Sequence, residues 1–294
     1  MRKLNAFGHE IPPLAQCVHS EQLHRMLFRQ LVSILPERPD AKEIAEHLFE
    51  NTLTEGNDEA CACAAQSLLR EASALQHIRQ GLNERSARIM AQIQPHLIGS
   101  GVLDYGCGDG EVGRRISDLG YSVSLCDVMD YRTEAARDLP WHLLAGGYQE
   151  KSDRHAMDTL LLLTVLHHCE NPDSSLLSVK SLGPKRVISI ESVYKLTRAE
   201  TFRFRQAETC RTADAFEWLE LPTEGQFRYA CFWDWFYNKV VNSGVFVPYN
   251  FLWPDAWRDR FRHLGYDEAE RIYLGIDQPL APEFHVLQVF DAAD

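Results

Sequence analysis

Several features that would assign this 294-residue chain to a class of protein are missing from it. Its longest nearly apolar run, residues 159–166, is far shorter than the roughly 20 apolar residues of a membrane-spanning helix. Its 30 basic residues form no cluster and are outnumbered by 42 acidic ones, which gives a net charge of −12. A nucleic-acid-binding surface needs clustered Lys and Arg. The sequence therefore predicts no membrane and no nucleic acid as a partner.

The eight cysteines follow no pattern of metal binding or disulfide pairing. No C-x-x-C occurs, and Cys61 and Cys63 have no second pair at the spacing of a zinc site. Residues 1–10, MRKLNAFGHE, lack the apolar stretch of a secretory signal peptide. We therefore expect no metal, reduced thiols and a cytoplasmic protein.

The most informative stretch is the glycine-rich decapeptide G-V-L-D-Y-G-C-G-D-G at residues 101–110. Apolar and aromatic residues at its start are typical of a buried strand. The three later glycines allow positive φ and a close approach of a ligand to the backbone. Residues 111–119 have the pattern of a helix that ends at Gly120. Together they predict the first strand–loop–helix unit of a nucleotide-binding α/β fold, with a ligand above the loop.

The acids around this loop bear on which ligand it holds. Residues 108–113 also fit the dinucleotide pattern G-x-G-x-x-G, with Asp127 near the expected spacing of about 20 residues for a ribose-binding acid. Asp109 and Glu111, however, would crowd a pyrophosphate at the helix N-terminus. S-adenosylmethionine (SAM) carries a sulfonium, an ammonium and no phosphate, so it tolerates carboxylates there. The sequence favours SAM over a dinucleotide.

From Asp104 to Gly110 the chain resembles the first motif of the class I SAM-dependent methyltransferases, an acid, one residue and then G-x-G-x-G. The resemblance covers about residues 85–290 and includes V-L-H-H-C-E-N-P at 165–172 and D-W-F-Y-N at 234–238. It implies SAM as the cofactor. It also implies an α/β fold, a Rossmann-like seven-stranded sheet with an N-terminal all-helical region and a helical insert between strands 5 and 6.

The same resemblance implies the SAM-binding residues, which are Asp104, Gly106, Gly108, Gly110, Asp127, Val128, Met129, Thr164 and Val165. The acid and glycines of the loop hold the methionine end of SAM, beside Thr164 and Val165. Asp127 takes the ribose hydroxyls, and the two residues after it flank the adenine. Where the family often has an Asp for the adenine amino group, this chain has Gly146 and Gly147, which leaves its adenine contacts open.

The chain before the glycine loop has helical patterns and no convincing strand. Residues 58–80 form a long alanine-rich stretch that Gly81 is expected to bend. We predict a helical domain at residues 1–98, which serves either to cap the sheet edge or as a lid over the SAM site.

Strand and helix patterns alternate from residue 101 onward, so residues 99–294 are predicted as the SAM-binding domain. The predicted strands after the first are 121–128, 141–144, 158–166, 186–190, about 268–275 and 284–290. Residues 192–266 are the predicted helical insert, with helices expected at 198–219 and 226–241. The second of these helices is rich in aromatic residues.

Methyl transfer from SAM is a displacement with a good leaving group, so alignment and desolvation supply most of the acceleration. A base is needed only if the acceptor must lose a proton. The candidates are His168, Glu191 and His167, all at the carboxyl ends of predicted strands. Alternation along a strand would send the two histidines in opposite directions, and we favour His168. The structural alternatives are histidines that anchor the following loop and, for Glu191, an ion pair within the insert.

The aromatic insert supplies candidates for a substrate pocket. Faces of Trp and Tyr stabilise a desolvated cation, which suggests Trp235, Tyr237 and Tyr249. Asn238 and Asn250 could orient a polar group of the substrate. The alternative for most of the aromatic residues is packing against the N-terminal helices.

Three functions fit these observations. The first is a SAM-dependent methyltransferase acting on a small molecule, as in secondary metabolism. The second is a SAM-consuming cyclase of the same fold, in which the amine of SAM attacks its own aminobutyrate arm and releases methylthioadenosine, as in azetidine-2-carboxylate formation. The third is a SAM-binding protein without turnover. The sequence names neither the acceptor nor the oligomeric state.

Overall fold

The structure is a computed structural model that describes residues 3–13, 20–35, 40–52, 58–144, 157–206, 212–242 and 245–293. The chain divides into two compact units. The first, here the helical unit, consists of Met1–Arg85, Ser192–Trp253 and Leu274–Phe284. The second, here the sheet unit, consists of Ser86–Glu191, Pro254–Tyr273 and His285–Asp294. The helical unit thus contains residues from before and after the glycine loop. The domain boundary at residue 98 and the role of the N-terminal helices as a lid stay predictions.

The sheet unit is built on a seven-stranded sheet in the order β3-β2-β1-β4-β5-β7-β6. The strands are β1 Gly101–Tyr105, β2 Ser122–Asp127, β3 Trp141–Leu143, β4 Thr159–Leu163, β5 Arg186–Ser192, β6 Tyr266–Gly275 and β7 His285–Ala292. The pairs β1–β2, β1–β4, β2–β3 and β4–β5 are parallel. The predicted α/β fold with a Rossmann-like seven-stranded sheet is confirmed.

Strand β7 runs antiparallel to β5. Ala292 N–H donates to the Lys185 carbonyl, and Val193 N–H donates to the Phe284 carbonyl, both at 2.9 Å. The start of one strand therefore meets the end of the other. This antiparallel strand makes the sheet mixed, and its two closing strands lie where the sequence predicted them.

The α-helices of the described residues are α1 Glu21–Ile34, α2 Ala41–His47, α3 Asp58–Glu71, α4 Ala74–Ile93, α5 Glu111–Asp118, α6 Pro172–Leu182, α7 Arg198–Gln206, α8 Ala213–Glu220, α9 Thr223–Trp235 and α10 Pro254–His263. Two π-helical segments, Leu48–Thr52 and Phe236–Val241, follow α2 and α9. The predicted helix over 198–219 is thus two helices, and residues 207–211 between them lie outside the described residues. None of the described helices is long and apolar enough to cross a membrane.

Local chemistry sets the ends of α6, as the sequence predicted. The Asn171 side chain accepts a hydrogen bond from the Ser174 N–H at 3.1 Å, and Pro172 occupies the first turn. Gly183 ends the helix in the left-handed conformation, with φ of 64°. This helix follows β4 and returns the chain to the start of β5.

The long N-terminal helical stretch breaks at Ser73, not at Gly81. Ser73 has φ of 55°, and its N–H donates to the Arg70 carbonyl at 3.0 Å, which ends α3. Gly81 lies inside the continuous helix α4, where a Cβ would stand 1.9 Å from Leu280 Cδ1. The glycine therefore makes room for a packed leucine and does not bend the helix, so the predicted bend there is wrong.

We expect Ser73→Gly to stabilise the protein by up to about 1 kcal/mol, because glycine adopts a left-handed φ without a Cβ penalty. Ser73→Ala is the matched control, since it keeps the Cβ and should change stability little. Urea unfolding measures both variants. A destabilising Ser73→Gly, as in a helix interior, would show that α3 and α4 are continuous in solution.

The aromatic helix α9 and the π-helix after it are packed within the helical unit. Phe232 stacks on Phe49 with ring centroids 5.7 Å apart, and Trp235 Nε1–H donates to the Asp58 carbonyl at 3.3 Å. The rings of Tyr229, Phe232, Trp233, Trp235, Phe236 and Tyr237 are all buried. These contacts match packing on the N-terminal helices, the structural alternative for the insert.

Candidate functional site

The glycine loop follows β1 and leads into α5. Gly106, Gly108 and Gly110 all have positive φ, of 75°, 52° and 76°, and Gly110 is the N-cap residue of α5. The N–H groups of Gly106 and Cys107 both donate to the Cys126 carbonyl, at 2.8 and 3.0 Å. The loop is thereby fastened to the carboxyl end of β2.

The three glycines serve different ends. A Cβ on Gly106 would lie 2.7 Å from both methyl groups of Val165, and a Cβ on Gly110 would lie 2.8 Å from Ala136 Cβ. These two positions need glycine for packing. A Cβ on Gly108 would meet no atom within 4 Å. Gly108 therefore faces open space at the carboxyl ends of the strands, where ligands of this fold class bind.

Asp127 at the end of β2 shapes the same loop. Its Oδ2 accepts from the Gly108 N–H at 2.8 Å and its Oδ1 from the Val128 N–H at 2.6 Å, and the Met129 N–H is a third donor. Burial raises the pKa of this carboxyl group, and the three N–H groups oppose the rise. A carboxylate has roughly four acceptor positions, so about one is left for a ligand hydroxyl.

Asp104 adds a second buried carboxyl group beneath the loop. Its pKa is raised to about 7, mainly by burial and in addition by the negative charges of Asp109 and Asp127, while the hydrogen bond from the Gly113 N–H opposes the rise. A Cβ on Gly113 would lie 2.4 Å from Leu125 Cδ2, so α5 packs closely on β2. The loop thus concentrates negative charge, which a cationic ligand would relieve.

Two further acids, the exposed Asp109 and the half-buried Glu111, are held by polar contacts. Asp109 Oδ1 accepts from the Glu111 N–H at 3.0 Å, and Glu111 Oε1 accepts from the Thr133 hydroxyl at 2.6 Å. The Arg114 guanidinium on α5 pairs with Asp138 at 2.9 Å. The acids that argued against a pyrophosphate therefore stand at the start of α5, and this arginine is engaged elsewhere.

The residues predicted to flank adenine lie at the end of β2. Val128 and Met129 are exposed apolar side chains, and the Tyr131 hydroxyl contacts Met129 Sδ at 3.3 Å. Val128 and Met129 thus form an exposed apolar surface next to Asp127. Their contact with adenine stays a prediction. Gly146 and Gly147 lie outside the described residues.

The carboxyl end of β4 is held in an unusual conformation. Thr164 has φ of 59°, which is rare for a β-branched residue. Its N–H donates to the Ile190 carbonyl and its hydroxyl to the Leu163 carbonyl, both at 2.6 Å. Val165 follows and contacts the backbone of Gly106. The two residues predicted beside the methionine moiety therefore lie at the carboxyl end of β4, next to the loop.

Glu191 at the end of β5 holds the segment after β4. Its Oε1 accepts from the N–H groups of Val165 and Leu166 at 3.0 and 2.8 Å, and its Oε2 lies 2.6 Å from His167 Nδ1. The side chains of Glu191 and His167 are both only 2% exposed. Burial raises the pKa of Glu191 to about 7, although these N–H groups and the charge of His168 lower it. These contacts support the structural alternative for His167, and they give Glu191 a structural role, although its partners lie in the segment after β4 and not in the insert, where the ion pair was expected.

The expected opposite orientation of His167 and His168 is wrong. The strand ends at Leu163 and not at residue 166, because Thr164 leaves the β conformation. Residues Leu166–His168 form a 3₁₀ turn, which places the two imidazole centroids 4.1 Å apart. His168 is half-buried and His167 is buried, so His168 stays the predicted base.

The predicted substrate-pocket residues Trp235, Tyr237, Asn238, Tyr249 and Asn250 all lie in the helical unit. Four of them make hydrogen bonds that the sequence did not foretell, and one of these is the bond from Trp235 to the Asp58 carbonyl described above. Asn238 Nδ2 donates to Asp234 Oδ1 at 2.8 Å. The Tyr249 carbonyl accepts from Asn5 Nδ2 at 2.8 Å, and Asn250 Oδ1 accepts from the Ala6 N–H at 2.7 Å. Contact of these residues with a substrate stays a prediction.

Sequence reasoning missed Asn5 entirely. Its Oδ1 accepts from the N–H groups of Phe7 and His9, which closes a tight turn, while its amide reaches Tyr249. The partners are 244 residues apart, and no local pattern marks such a pair. Gly113, by contrast, carried a signal, since it completes the G-x-G-x-x-G spacing in which the last glycine permits close helix–strand packing.

Comparison with known proteins gives similar structures and no matching family. No protein-family model matches the chain, and no curated protein matches it. It is similar to magnesium protoporphyrin IX methyltransferase from Synechocystis PCC 6803 with bound SAH, with 15% identity over 74% of this chain and 85% of that chain and a TM-score of 0.45. It is also similar to 1,6-didemethyltoxoflavin-N1-methyltransferase from Burkholderia thailandensis, with 13% identity over 79% of this chain and 89% of that chain and a TM-score of 0.45. A third similar structure is the [4+2]-cyclase SpnF, with 9% identity over 70% of this chain and 80% of that chain and a TM-score of 0.45. At this level of similarity, the ligand and the reaction have to be inferred from the chain's own residues.

Proposed function

We propose that this chain is a SAM-dependent methyltransferase whose acceptor is a small molecule, as in secondary metabolism. One observation carries the proposal. An acidic glycine loop lies between β1 and α5, where the sheet order reverses between β1 and β4, and it faces open space at Gly108. The crevice at such a reversal is where ligands bind in open α/β sheets.

The charges of the loop favour SAM among the ligands that this fold class binds. Asp104, Asp109, Glu111 and Asp127 lie in or beside the loop, so a pyrophosphate bound above it would be repelled by their negative charge. SAM supplies a methyl group on a cationic sulfonium and also carries an ammonium. The residues present therefore fit this cofactor, with the loop at its methionine end and Asp127 at its ribose.

The chain's own contribution to the reaction is to bind, orient and exclude water. Thr164 and Val165 are fixed beside the loop by β5 and by Glu191, so their side chains are held in place before any ligand arrives. Fixed positioning of two reactants contributes most of the acceleration in such a displacement, about 7–11 kcal/mol in well-aligned cases. If the acceptor must lose a proton, His168 is the residue proposed to take it.

Product analysis tests the proposal against its two alternatives. Purified protein is incubated with SAM, with and without a fractionated extract of small molecules, and the products are identified by mass spectrometry. S-adenosylhomocysteine formed only with the extract supports the methyltransferase. Methylthioadenosine without any acceptor would instead identify a SAM-consuming cyclase. Tight SAM binding on calorimetry with neither product would identify a binding protein without turnover.

We expect Asp127→Ala to weaken SAM binding by about 1–3 kcal/mol, because a ribose hydroxyl loses its acceptor and the Gly108 N–H loses its partner. Asp130→Ala is the matched control. Asp130 lies three residues further along and pairs with Arg132 at 2.9 Å, outside the loop. Titration calorimetry measures both affinities. An Asp127→Ala variant that binds SAM like Asp130→Ala would remove Asp127 from the site.

A further inference from the structure

One lysine of the helical unit lies among aromatic rings. The Lys195 ammonium lies 3.8 Å from the centre of the Trp253 ring and 5.7 Å from the centre of the Tyr194 ring. Lys195 is half-buried, and within the part of the chain that the structure describes its ammonium pairs with no carboxylate. Aromatic faces attract a cation but carry no net negative charge. The charge of this lysine is therefore partly removed from water without an anion to balance it.

The Tyr194 ring also contacts a second polar side chain, the imidazole of His9. The centroid of the buried Tyr194 ring lies 5.7 Å from that of His9 and 5.2 Å from that of Phe227, and both contacts are edge-to-face. The His9 Nδ1 atom is buried and has no hydrogen-bond partner among the described residues. Buried polar atoms are nearly always paired, so this nitrogen indicates a partner that the protein itself does not supply.

The charge that acts on His9 is positive. Its pKa is lowered, mainly by burial and in addition by the positive charge of Lys195. Burial alone raises the pKa of Tyr194, with no contribution from a charged neighbour. A neutral imidazole can carry its proton on Nδ1 and donate from there. Lys195 and His9 thus offer a cation and a neutral donor, which suit a ligand with one negative charge.

The backbone around His9 holds its ring in place. His9 belongs to the turn that Asn5 closes, and Asn5 Oδ1 accepts from the His9 N–H at 2.9 Å. The Asn5 amide in turn donates to the carbonyl of Tyr249, which has φ of 58°, in the left-handed region that tyrosine rarely adopts. Strain of this kind persists where the surroundings fix the backbone, and it is concentrated at ligand sites.

We propose that Lys195, His9 and Tyr194 form a binding site for the carboxylate group of a small molecule. One carboxylate oxygen pairs with the Lys195 ammonium, and the other accepts from His9 Nδ1. The rings of Tyr194 and Phe227 favour an acid with an aromatic body, because aromatic rings attract one another in edge-to-face contacts. The site is independent of the proposed function, because its test involves neither SAM nor turnover.

The probes are 4-fluorobenzoate and 4-fluorobenzamide, since they have nearly the same shape and differ in charge. Fluorine NMR follows the line width of each probe during titration with the whole protein. We expect saturable binding of the acid, at least tenfold tighter than that of the amide. No saturable binding of either probe, which would leave water as the partner of His9 Nδ1, overturns the proposal. Equal affinities would also overturn it, because the negative charge would then contribute nothing.

Two lysines of the helical unit give a matched pair of variants. Lys195→Met keeps an apolar stem over Trp253 and removes the charge, so it should bind the acid at least tenfold more weakly. Lys239 is also half-buried, but it pairs with Glu59 at 3.1 Å, so Lys239→Met should bind the acid within twofold of the unmodified protein. The melting temperature shows whether each variant is folded. The proposal is contradicted if both variants lose acid binding or if neither does.

The variant His9→Phe tests whether the imidazole and the ammonium bind the same ligand. Phenylalanine keeps a ring beside Tyr194 and Phe227 and removes the nitrogen, so acid binding should weaken about 3- to 10-fold. The losses of His9→Phe and Lys195→Met should not add in the double variant, because residues that act on one group are coupled. Normal acid binding by His9→Phe, or fully additive losses in the double variant, would contradict a site shared by the two residues.

Discussion

Replacing Gly108 with alanine should raise the dissociation constant for SAM about 10- to 100-fold. The residue has φ of 52°, and an added Cβ would enter the open space above the loop where the methionine end of SAM is proposed to bind. The methyl group would prevent the close approach between ligand and backbone that glycine permits. A change of this size corresponds to about 1.4–2.8 kcal/mol of binding free energy.

Gly183→Ala is a closely matched control for this variant. Gly183 has φ of 64°, and an added Cβ there also meets no atom within 4 Å. Both substitutions carry the same kind of left-handed strain, about 1–2 kcal/mol. Gly183 precedes β5, however, and lies at the amino ends of the parallel strands, away from the loop.

Urea unfolding and calorimetry separate the two effects. We expect the two variants to lose similar amounts of stability and only Gly108→Ala to lose SAM affinity. If both bind SAM like the unmodified protein, the open space above Gly108 is not the SAM site. If both lose affinity equally, the loss follows from strain in the fold and not from the loop.

The features that were predicted correctly from the sequence are those set by local chemistry. The glycine loop has the positive φ angles that its glycines suggest, and α6 begins and ends at its Asn171 cap and at Gly183. The seven-stranded sheet followed from the alternation of strand and helix patterns. Each of these depends on residues a few positions apart, whose effect on the backbone does not require the rest of the chain.

The errors arise where distant residues override local patterns. A run of apolar residues predicted that β4 continues to residue 166, but Thr164 is turned into the left-handed region by bonds that include one to the Ile190 carbonyl. Gly81 predicted a bend, but it accommodates Leu280 from a segment about 200 residues later. The turn around Asn5 belongs to the same class. Such pairs are determined by the tertiary fold, so no single stretch of sequence contains them.

Two of the candidate bases, Glu191 at the end of β5 and His167 after β4, show the same limit at the site. Both residues were predicted to lie at the carboxyl end of a strand, and this position is equally compatible with a catalytic role and with a structural role. The donors around Glu191 support the structural role, because the Val165 and Leu166 N–H groups and His167 Nδ1 all contact its carboxylate. Glu191 is therefore proposed as a positioning residue, which acts through the segment that it holds.

Glu191→Ala should lower the free energy of unfolding by about 3–5 kcal/mol. The substitution leaves two buried N–H groups and one imidazole nitrogen without their acceptor, and each unsatisfied buried group costs about 1–3 kcal/mol. Glu191→Gln keeps one carbonyl oxygen for the two N–H groups and should lose less, about 1–2 kcal/mol. Glu170→Ala, at an exposed position in the same segment, is the control and should change stability little. Equal stability of Glu191→Ala and Glu170→Ala would show that the segment does not depend on this carboxylate.

The pH dependence of stability separates the effect of Glu191 ionisation on stability from the effect of its side-chain shape. Its pKa rises from 4.5 to about 7 on folding, so between these values the folded protein keeps a proton that the unfolded chain releases. Stability therefore falls as pH rises through this window, by roughly 3 kcal/mol for this group, and Asp104 acts in the same direction. The side chain in Glu191→Gln cannot titrate. The unfolding free energy of this variant, measured with urea from pH 5 to pH 8, should therefore fall less steeply with pH than that of the unmodified protein, and the difference in slope should correspond to about one proton. An unchanged slope would mean that Glu191 stays ionised in the folded protein throughout this range.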